Sequence, residues 1–336
     1  MLEKYSIPMD YTRRRVKVTV IGCGRWGTFL AWYAAELGHT VKLYGRSGSF
    51  SYERLVMSRK NEYVELPDSV TLTTDLVRAV NGADVVLVSV PSQSFRDVMG
   101  ELAGKCELKG KYIVTCMKGI EIKTGMRLSE IVLEHGLEDW QVAVWAGPGH
   151  VQEFVQGNPN CMLIDAYSRA TTERVVELFK SPLIRFYYGN DVIGTEIGAA
   201  MKNVMGIVAG CLDGMNLPAL KGALMARGSR EVSRLIKALG GNPLSAYGLC
   251  HLGDYETTLF SPHSQNRMWG ENYALGKKYA KLAEGVHTAR AIALVADDLE
   301  VEMPITRAVN AMILDKLKPR EVMEQLFERS IKEDLV

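Results

Sequence analysis

Two lysines stand where a charged side chain needs a reason. Lys202 lies in "GTEIGAAMKNVMGIVAG" (194–210), an apolar stretch that reads as helix. Glycines at Gly194, Gly198, Gly206 and Gly210 recur there every fourth residue, and Lys202 takes the place of a fifth. A glycine in a helix interior costs about 1 kcal/mol against alanine, so such a row implies that something approaches the helix closely. Two readings follow. Either a ligand lies on a bare ridge and the long stem of Lys202 carries its ammonium to it, or the row is a packing seam with a lysine escaping at its edge. Periodicity alone does not separate them. The segment 251–271 gathers Asp254, Thr257, Thr258, Ser261, Ser264, Gln265, Asn266 and Arg267 into what reads as a loop between helices. That density suits a hydrogen-bonding substrate site, with Asn266 opening the next helix and its free N–H groups offered to an anion. Lys118 ends the apolar run "KYIVTCMKG" (111–119), where burial is costly unless an anion arrives; the plainer reading is a lysine that reaches out to water.

A second group of residues points to a dinucleotide. "VTVIGCGRWGT" sets Gly22, Gly24 and Gly27 in G-x-G-x-x-G spacing directly after a β-branched run and at the start of a helical one. In that context the first glycine makes a tight turn, the second admits a pyrophosphate and the third lets helix and strand approach. The second strand ends in "LYGRS", with Gly45 and Arg46 where enzymes strict for NAD carry an acid for the ribose hydroxyls. An acid repels a 2′-phosphate and an arginine pairs with one, so NADP use or dual use is expected; the alternative leaves Arg46 stacked on adenine or in solvent.

These residues need elements to position them. Strands are expected at 16–22, 40–45, 83–91, 111–119, 141–149, 161–166 and 183–188, with a helix over 25–39 closed by Gly38. Strand–helix alternation of this kind implies an α/β, Rossmann-like, mostly parallel doubly wound sheet. The strand ends "VPSQSF", "CMKGIE" and "WAGPGHVQEF" then face the cofactor, with Pro91 and Pro148 closing their strands and Gly119, Gly147 and Gly149 following. Beyond residue 190 the β signal stops and helices are expected at 191–215, 218–239, 266–280, 286–299, 304–316 and 319–331. The domains are therefore read as 1–190, a dinucleotide-binding α/β domain, and 191–336, an all-α substrate and catalytic domain.

Composition narrows the function classes. With 40 basic against 39 acidic residues there is no electrostatic footprint for nucleic acid, and Arg13–Arg15 read as a solvated flank to the first strand. Six scattered cysteines form no C-x-x-C pair, so neither a disulfide framework nor a metal site is expected. No leader and no membrane-inserted segment is read, which suggests a cytoplasmic protein. Cys23, inside the glycine loop, reads as a small packed residue rather than a redox point.

Taken together the chain resembles the NAD(P)-dependent sn-glycerol-3-phosphate dehydrogenases over residues 16–330. The resemblance rests on the ordered set Gly22–Thr28, "VPS" (90–92), "MKGIE" (117–121), "AGPG" (146–149), "AAMKN" (199–203), "LGD" (252–254), "SQNRMWG" (264–270), "AEG" (283–285) and "VEMPI" (301–305). It implies reversible hydride transfer between NADP or NAD and dihydroxyacetone phosphate/glycerol 3-phosphate, feeding phospholipid synthesis, in a homodimer. It places the catalytic lysine on Lys202, a second lysine at the substrate on Lys118, and the partner aspartate on Asp254. Gly147, Gly149, Asn203, Thr258, Ser264, Gln265 and Asn266 are implied at the substrate. Gly22, Gly24, Arg25, Trp26, Gly27, Arg46, Pro91, Lys118, Gln265 and Glu284 are implied at the cofactor. Partial burial and Lys118 are expected to lower the affinity of Lys202 for its proton, while Asp254 orients the ammonium.

Two departures remove positive charge. The family usually has Ser-Arg-Asn where Ser264-Gln265-Asn266 stands, and a lysine where Gln152 stands. Substrate affinity should fall unless His150, Arg267 or a helix N-terminus compensates. Other readings are a reductase of a related small carbonyl substrate and a dinucleotide sensor without turnover. Asn203 directly after Lys202, with no asparagine a turn later, argues against β-hydroxyacid and 6-phosphogluconate type dehydrogenases.

Overall fold

A computed structural model describes residues 6–8 and 14–330; Arg13 of the basic flank lies outside the described residues. The chain divides into two compact units, Met1–Lys118 with Met126–Glu196, and Gly119–Gly125 with Ile197–Val336.

The first unit carries a sheet of strands β1 (Lys17–Ile21), β2 (Thr40–Tyr44), β3 (Thr71–Thr73), β4 (Val85–Val88), β5 (Tyr112–Thr115), β6 (Val142–Ala146), β7 (Asn160–Ala166) and β8 (Ile184–Tyr188). Their order is β3-β2-β1-β4-β5-β6-β7-β8. Neighbours are parallel except β6 with β7, which run antiparallel. The order reverses between β1 and β4, which makes the carboxyl ends of those strands the switch point. Alternation along β4 sends Val85 and Leu87 to one hydrophobic core and Val86 and Val88 to the other. A strand buried on both faces reads as an unbroken apolar run, and that is why the central strands were legible.

The expected strand lengths need correction. The runs 83–91, 111–119 and 141–149 pair only over β4, β5 and β6, which leaves Pro91, Lys118, Gly147 and Gly149 in the turns beyond the strand ends. Apolar character continues past the ladder because those turns are themselves packed. The short edge strand β3, "TLT", gives no period to read and was not expected.

The helical unit holds most of α8 (Val192–Gly214), with α9 (Leu220–Ala238), α10 (Gln265–Ala274), α11 (Glu284–Asp298), α12 (Pro304–Leu314) and α13 (Pro319–Phe327). Helix α8 is long and apolar enough to cross a membrane, but 89% of its most apolar window is buried inside the protein, the pattern of a core helix. Most helix boundaries shift by a residue or two from expectation, and those of α10 and α13 bear on the argument. Helix α10 opens at Gln265 with Ser264 as its cap, accepting from Arg267 N at 3.3 Å, so Asn266 is not the opening residue. It ends at Ala274 rather than 280, where Gly276 turns the chain at φ +68°. Helix α13 stops at Phe327. The expected loop before α10 also holds helical turns, a 3₁₀ turn at Leu252–Asp254 and a π turn at Glu256–Phe260.

Candidate active site

At the cofactor end, helix α1 (Arg25–Glu36) follows β1 after three residues. Gly22 has φ +112°, and a Cβ there would lie 2.1 Å from Ser89 O in the turn after β4. A Cβ on Gly27 would lie 2.0 Å from Gly22 O. These two glycines are required by the fold itself. Gly24 is different, because nothing lies within 4 Å of a Cβ built there and its φ of −72° suits any residue. No acid occupies the first turn of α1 and Gly24 contributes no side-chain cap, so the helix N-terminus is left to an outside anion. The open space at Gly24 is where the sequence reading expects a pyrophosphate. Gly24→Val is therefore expected to weaken NADPH binding by roughly tenfold, about 1.4 kcal/mol. As a poor cap it should cost the fold no more than about 1 kcal/mol. Fluorescence titration and a melting curve on the same protein separate the two effects.

Around that turn, Arg25 lies over the Tyr63 ring and Trp26 stacks on Phe29 at 4.9 Å. Pro91 caps the 3₁₀ turn Ser92–Ser94 that follows β4. A Cβ on Gly45 would lie 2.5 Å from both Cys23 Sγ and Tyr52 Cδ2, so the site where a ribose-binding acid is expected has no room for a side chain. Arg46, the next residue, is exposed. The buried Cys23 thiol is pushed up to about 12 by desolvation, which keeps it protonated and unreactive. Beyond β5, Lys118 Nζ donates to Gly147 O at 2.7 Å in the turn beyond β6, where Gly147 has φ +114°. Gly149 packs on Phe154, whose ring a Cβ would meet at 2.4 Å.

The helical unit answers the question of the glycine row. A Cβ on Gly198 would meet Cys250 Sγ at 2.8 Å and His251 Cβ at 3.1 Å. One on Gly206 would meet Thr258 Cγ2 at 2.9 Å, and one on Gly210 would meet Arg267 O at 1.9 Å. The row continues to Gly214, which faces Ala274 and Glu271. The protein's own chain fills the ridge, so the reading in which substrate lies along the glycines is corrected to the packing seam. The lysine does not escape from it. Lys202 is 7% exposed and Asp254 0%. Lys202 Nζ reaches Asp254 Oδ2 at 2.7 Å and donates to Thr258 Oγ1 at 2.8 Å. The glycines let residues 250–258 come close enough to deliver both partners. The Thr257 hydroxyl donates to the other Asp254 oxygen, so the carboxylate is held at both ends.

Other expected substrate residues are tied into the same seam. Asn266 Nδ2 donates to Asn203 Oδ1 at 2.9 Å, and Asn266 Oδ1 accepts from Gly285 N at 2.9 Å. Gly285 follows Glu284, the first residue of α11, and its Cβ would meet Asn203 O at 2.5 Å. Gln265 Oε1 accepts from Tyr279 OH at 2.5 Å. Arg267 bridges Asp213 at 2.7 Å and Glu271 at 3.0 Å and donates to Ser261 O at 3.0 Å. A guanidinium so committed does not stand in for the arginine replaced at Gln265. His251, Tyr255, Gly214 and Gly270 belong to the seam but were not singled out. Gly214 could have been, since it extends the four-residue spacing.

Both halves of the chain match models of known proteins. Residues 17–172 match the NAD-dependent glycerol-3-phosphate dehydrogenase N-terminus, and residues 191–324 the C-terminus. The chain belongs to the NAD-dependent glycerol-3-phosphate dehydrogenase family. It is 35% identical to the glycerol-3-phosphate dehydrogenase [NAD(P)+] of Pelodictyon phaeoclathratiforme, over 95% of this chain and 99% of that protein. Identity to that of Prosthecochloris aestuarii is 37%, with the same coverage. A crystal structure of the glycerol-3-phosphate dehydrogenase of Coxiella burnetii superposes with a TM-score of 0.86 at 26% identity, covering 94% of this chain and 99% of that one. In this chain the space around Gly24 is open, the space at Gly45 is filled by Cys23 and Tyr52, and the helical unit holds the Lys202–Asp254 pair.

Proposed function

We propose that the protein interconverts dihydroxyacetone phosphate and sn-glycerol 3-phosphate with NADP or NAD, with Lys202 as general acid and base. The observation that carries this reading is the buried Lys202–Asp254 ion pair at 2.7 Å, in a chain of this family. When bound, the dinucleotide supplies or accepts the hydride. Residues 1–190 bind it, with Gly22, Gly24, Arg25, Trp26, Gly27, Pro91 and Arg46 along its length; Gln265 and Glu284 are assigned to it from residues 191–336, the substrate and catalytic domain. Reduction of the ketone builds negative charge on its oxygen, and Lys202 Nζ donates a proton there. The Asp254 carboxylate favours the ammonium, the form that has a proton to give. Thr258 fixes a second direction at Nζ, so the ammonium is aimed rather than free to rotate. Lys118, with Gly147 and Gly149, and Asn203, Ser264, Gln265 and Asn266 are assigned to the substrate.

NADP is the preferred cofactor in this reading. The filled space at Gly45 keeps an acid out, and the exposed Arg46 has its guanidinium available to a 2′-phosphate. We also place the enzyme in the cytoplasm as a homodimer; light scattering on the purified protein reads its mass.

The test is oxidation of NADPH and of NADH with dihydroxyacetone phosphate titrated over a wide range. Saturable turnover, faster with NADPH, is expected. Absence of turnover at every level while NADPH still binds would sink the reading and direct the search to other carbonyl substrates.

A further inference from the structure

His251 is completely buried, yet both ring nitrogens are engaged. Its Nδ1 lies 2.9 Å from Gly198 O and its Nε2 lies 2.7 Å from Tyr255 OH. A carbonyl oxygen only accepts, so Nδ1 carries the hydrogen and donates it to Gly198; Nε2 then accepts from the Tyr255 hydroxyl. Desolvation lowers the imidazole pKa to about 4, which keeps the ring neutral with this single tautomer satisfied. Asp254 and Lys202 are the charges that act on it, in opposite senses. Tyr255 is buried as well.

The placement of these bonds is what matters. Gly198 precedes Lys202 by one helical turn on the same face of α8, and His251 precedes Asp254 by three residues in the turn packed against that face. Two ties result, 198 with 251 and 202 with 254, one turn apart. The contact between Gly206 and Thr258 adds a third, one turn further on. With the Lys202–Asp254 tie alone the turn could pivot about the ion pair, whereas a second tie fixes its angle. We propose that His251 is a positioning residue, whose imidazole locks the 251–258 turn onto α8 and so sets the direction in which Lys202 presents its proton. Gly198 serves this role twice, since its missing side chain admits the imidazole and its carbonyl receives the bond.

This proposal rests on Lys202 being the proton donor, and the experiment keeps the two apart. Turnover of dihydroxyacetone phosphate is measured for the wild type, His251→Leu and His251→Asn, with melting temperature and the KM for NADPH. A misdirected donor is expected to lower kcat of His251→Leu by roughly 10- to 100-fold. The KM for NADPH should stay within about twofold. Asparagine offers an N–H close to the place of Nδ1–H and should restore most of the lost kcat. If the wild type is inactive, the functional reading has failed. If the wild type is active and His251→Leu keeps kcat within about threefold, the positioning role is overturned. It is equally overturned if asparagine falls as far as leucine, because the histidine would then only fill space. Should the leucine variant fail to fold, His251→Phe keeps a ring in the packing and has no N–H for Gly198 O; a kcat within about threefold of the wild type there overturns the proposal too.

Discussion

Replacing Lys202 with methionine should lower turnover by about 10²- to 10⁴-fold, the range general acid catalysis contributes, while NADPH binding stays intact. Methionine preserves much of the stem and removes the ammonium, so the effect isolates the proton donor. The partner must be considered, because Asp254 is 0% exposed and loses the cation at 2.7 Å. An ion pair broken this way costs about 3–5 kcal/mol when the remaining charge stays unpaired. Asp254→Asn, alone and combined with Lys202→Met, controls for that cost. The double variant should recover stability without recovering activity. A Lys202→Met enzyme that retains a sizeable fraction of turnover would remove Lys202 from the mechanism.

Gly210→Ala should destabilise the fold by about 1–3 kcal/mol, the usual range for forcing an extra methyl into a packed site. Its Cβ would sit 1.9 Å from Arg267 O and 2.7 Å from Glu271 N, both backbone atoms of α10 that cannot rotate aside. Helix α10 carries Ser264's capped first turn and Asn266's tie to Asn203, so its displacement should also disturb substrate binding. The same substitution at Gly222 in α9 has nothing within 4 Å and should stabilise by about 0.5–1 kcal/mol, through helix propensity. Chemical denaturation of the two variants should give shifts of opposite sign. Equal shifts would mean that the seam on α8 yields more easily than its geometry implies.

Much of the site was legible because its parts are contiguous. The glycine loop, the strand before it and the helix after it occupy residues 17–36, where the positive φ of Gly22 and the close approach of Gly27 to Gly22 O are demands of the turn itself. The four-residue row on α8 was equally visible, and so was the oddity of a lysine within it. Its meaning was not. Whether a ligand or the chain lies on a glycine ridge depends on which distant segment packs there, and Lys202 lies 56 residues from Thr258. The commitment of Arg267 to Asp213, 54 residues away, was invisible for the same reason.

The sequence by itself determined the alternation of strands and helices, the dinucleotide turn and the identity of the charged residue on the apolar helix, since periodicity, chain turns and burial preference act over neighbouring residues. Only the tertiary structure decided that the glycine row is filled by residues 250–274, that Asp254 and Thr258 hold the ammonium, and that a neutral histidine stands one turn away. Those facts arise from close packing between remote segments, where a missing Cβ fixes how near two backbones come and therefore which side chains meet.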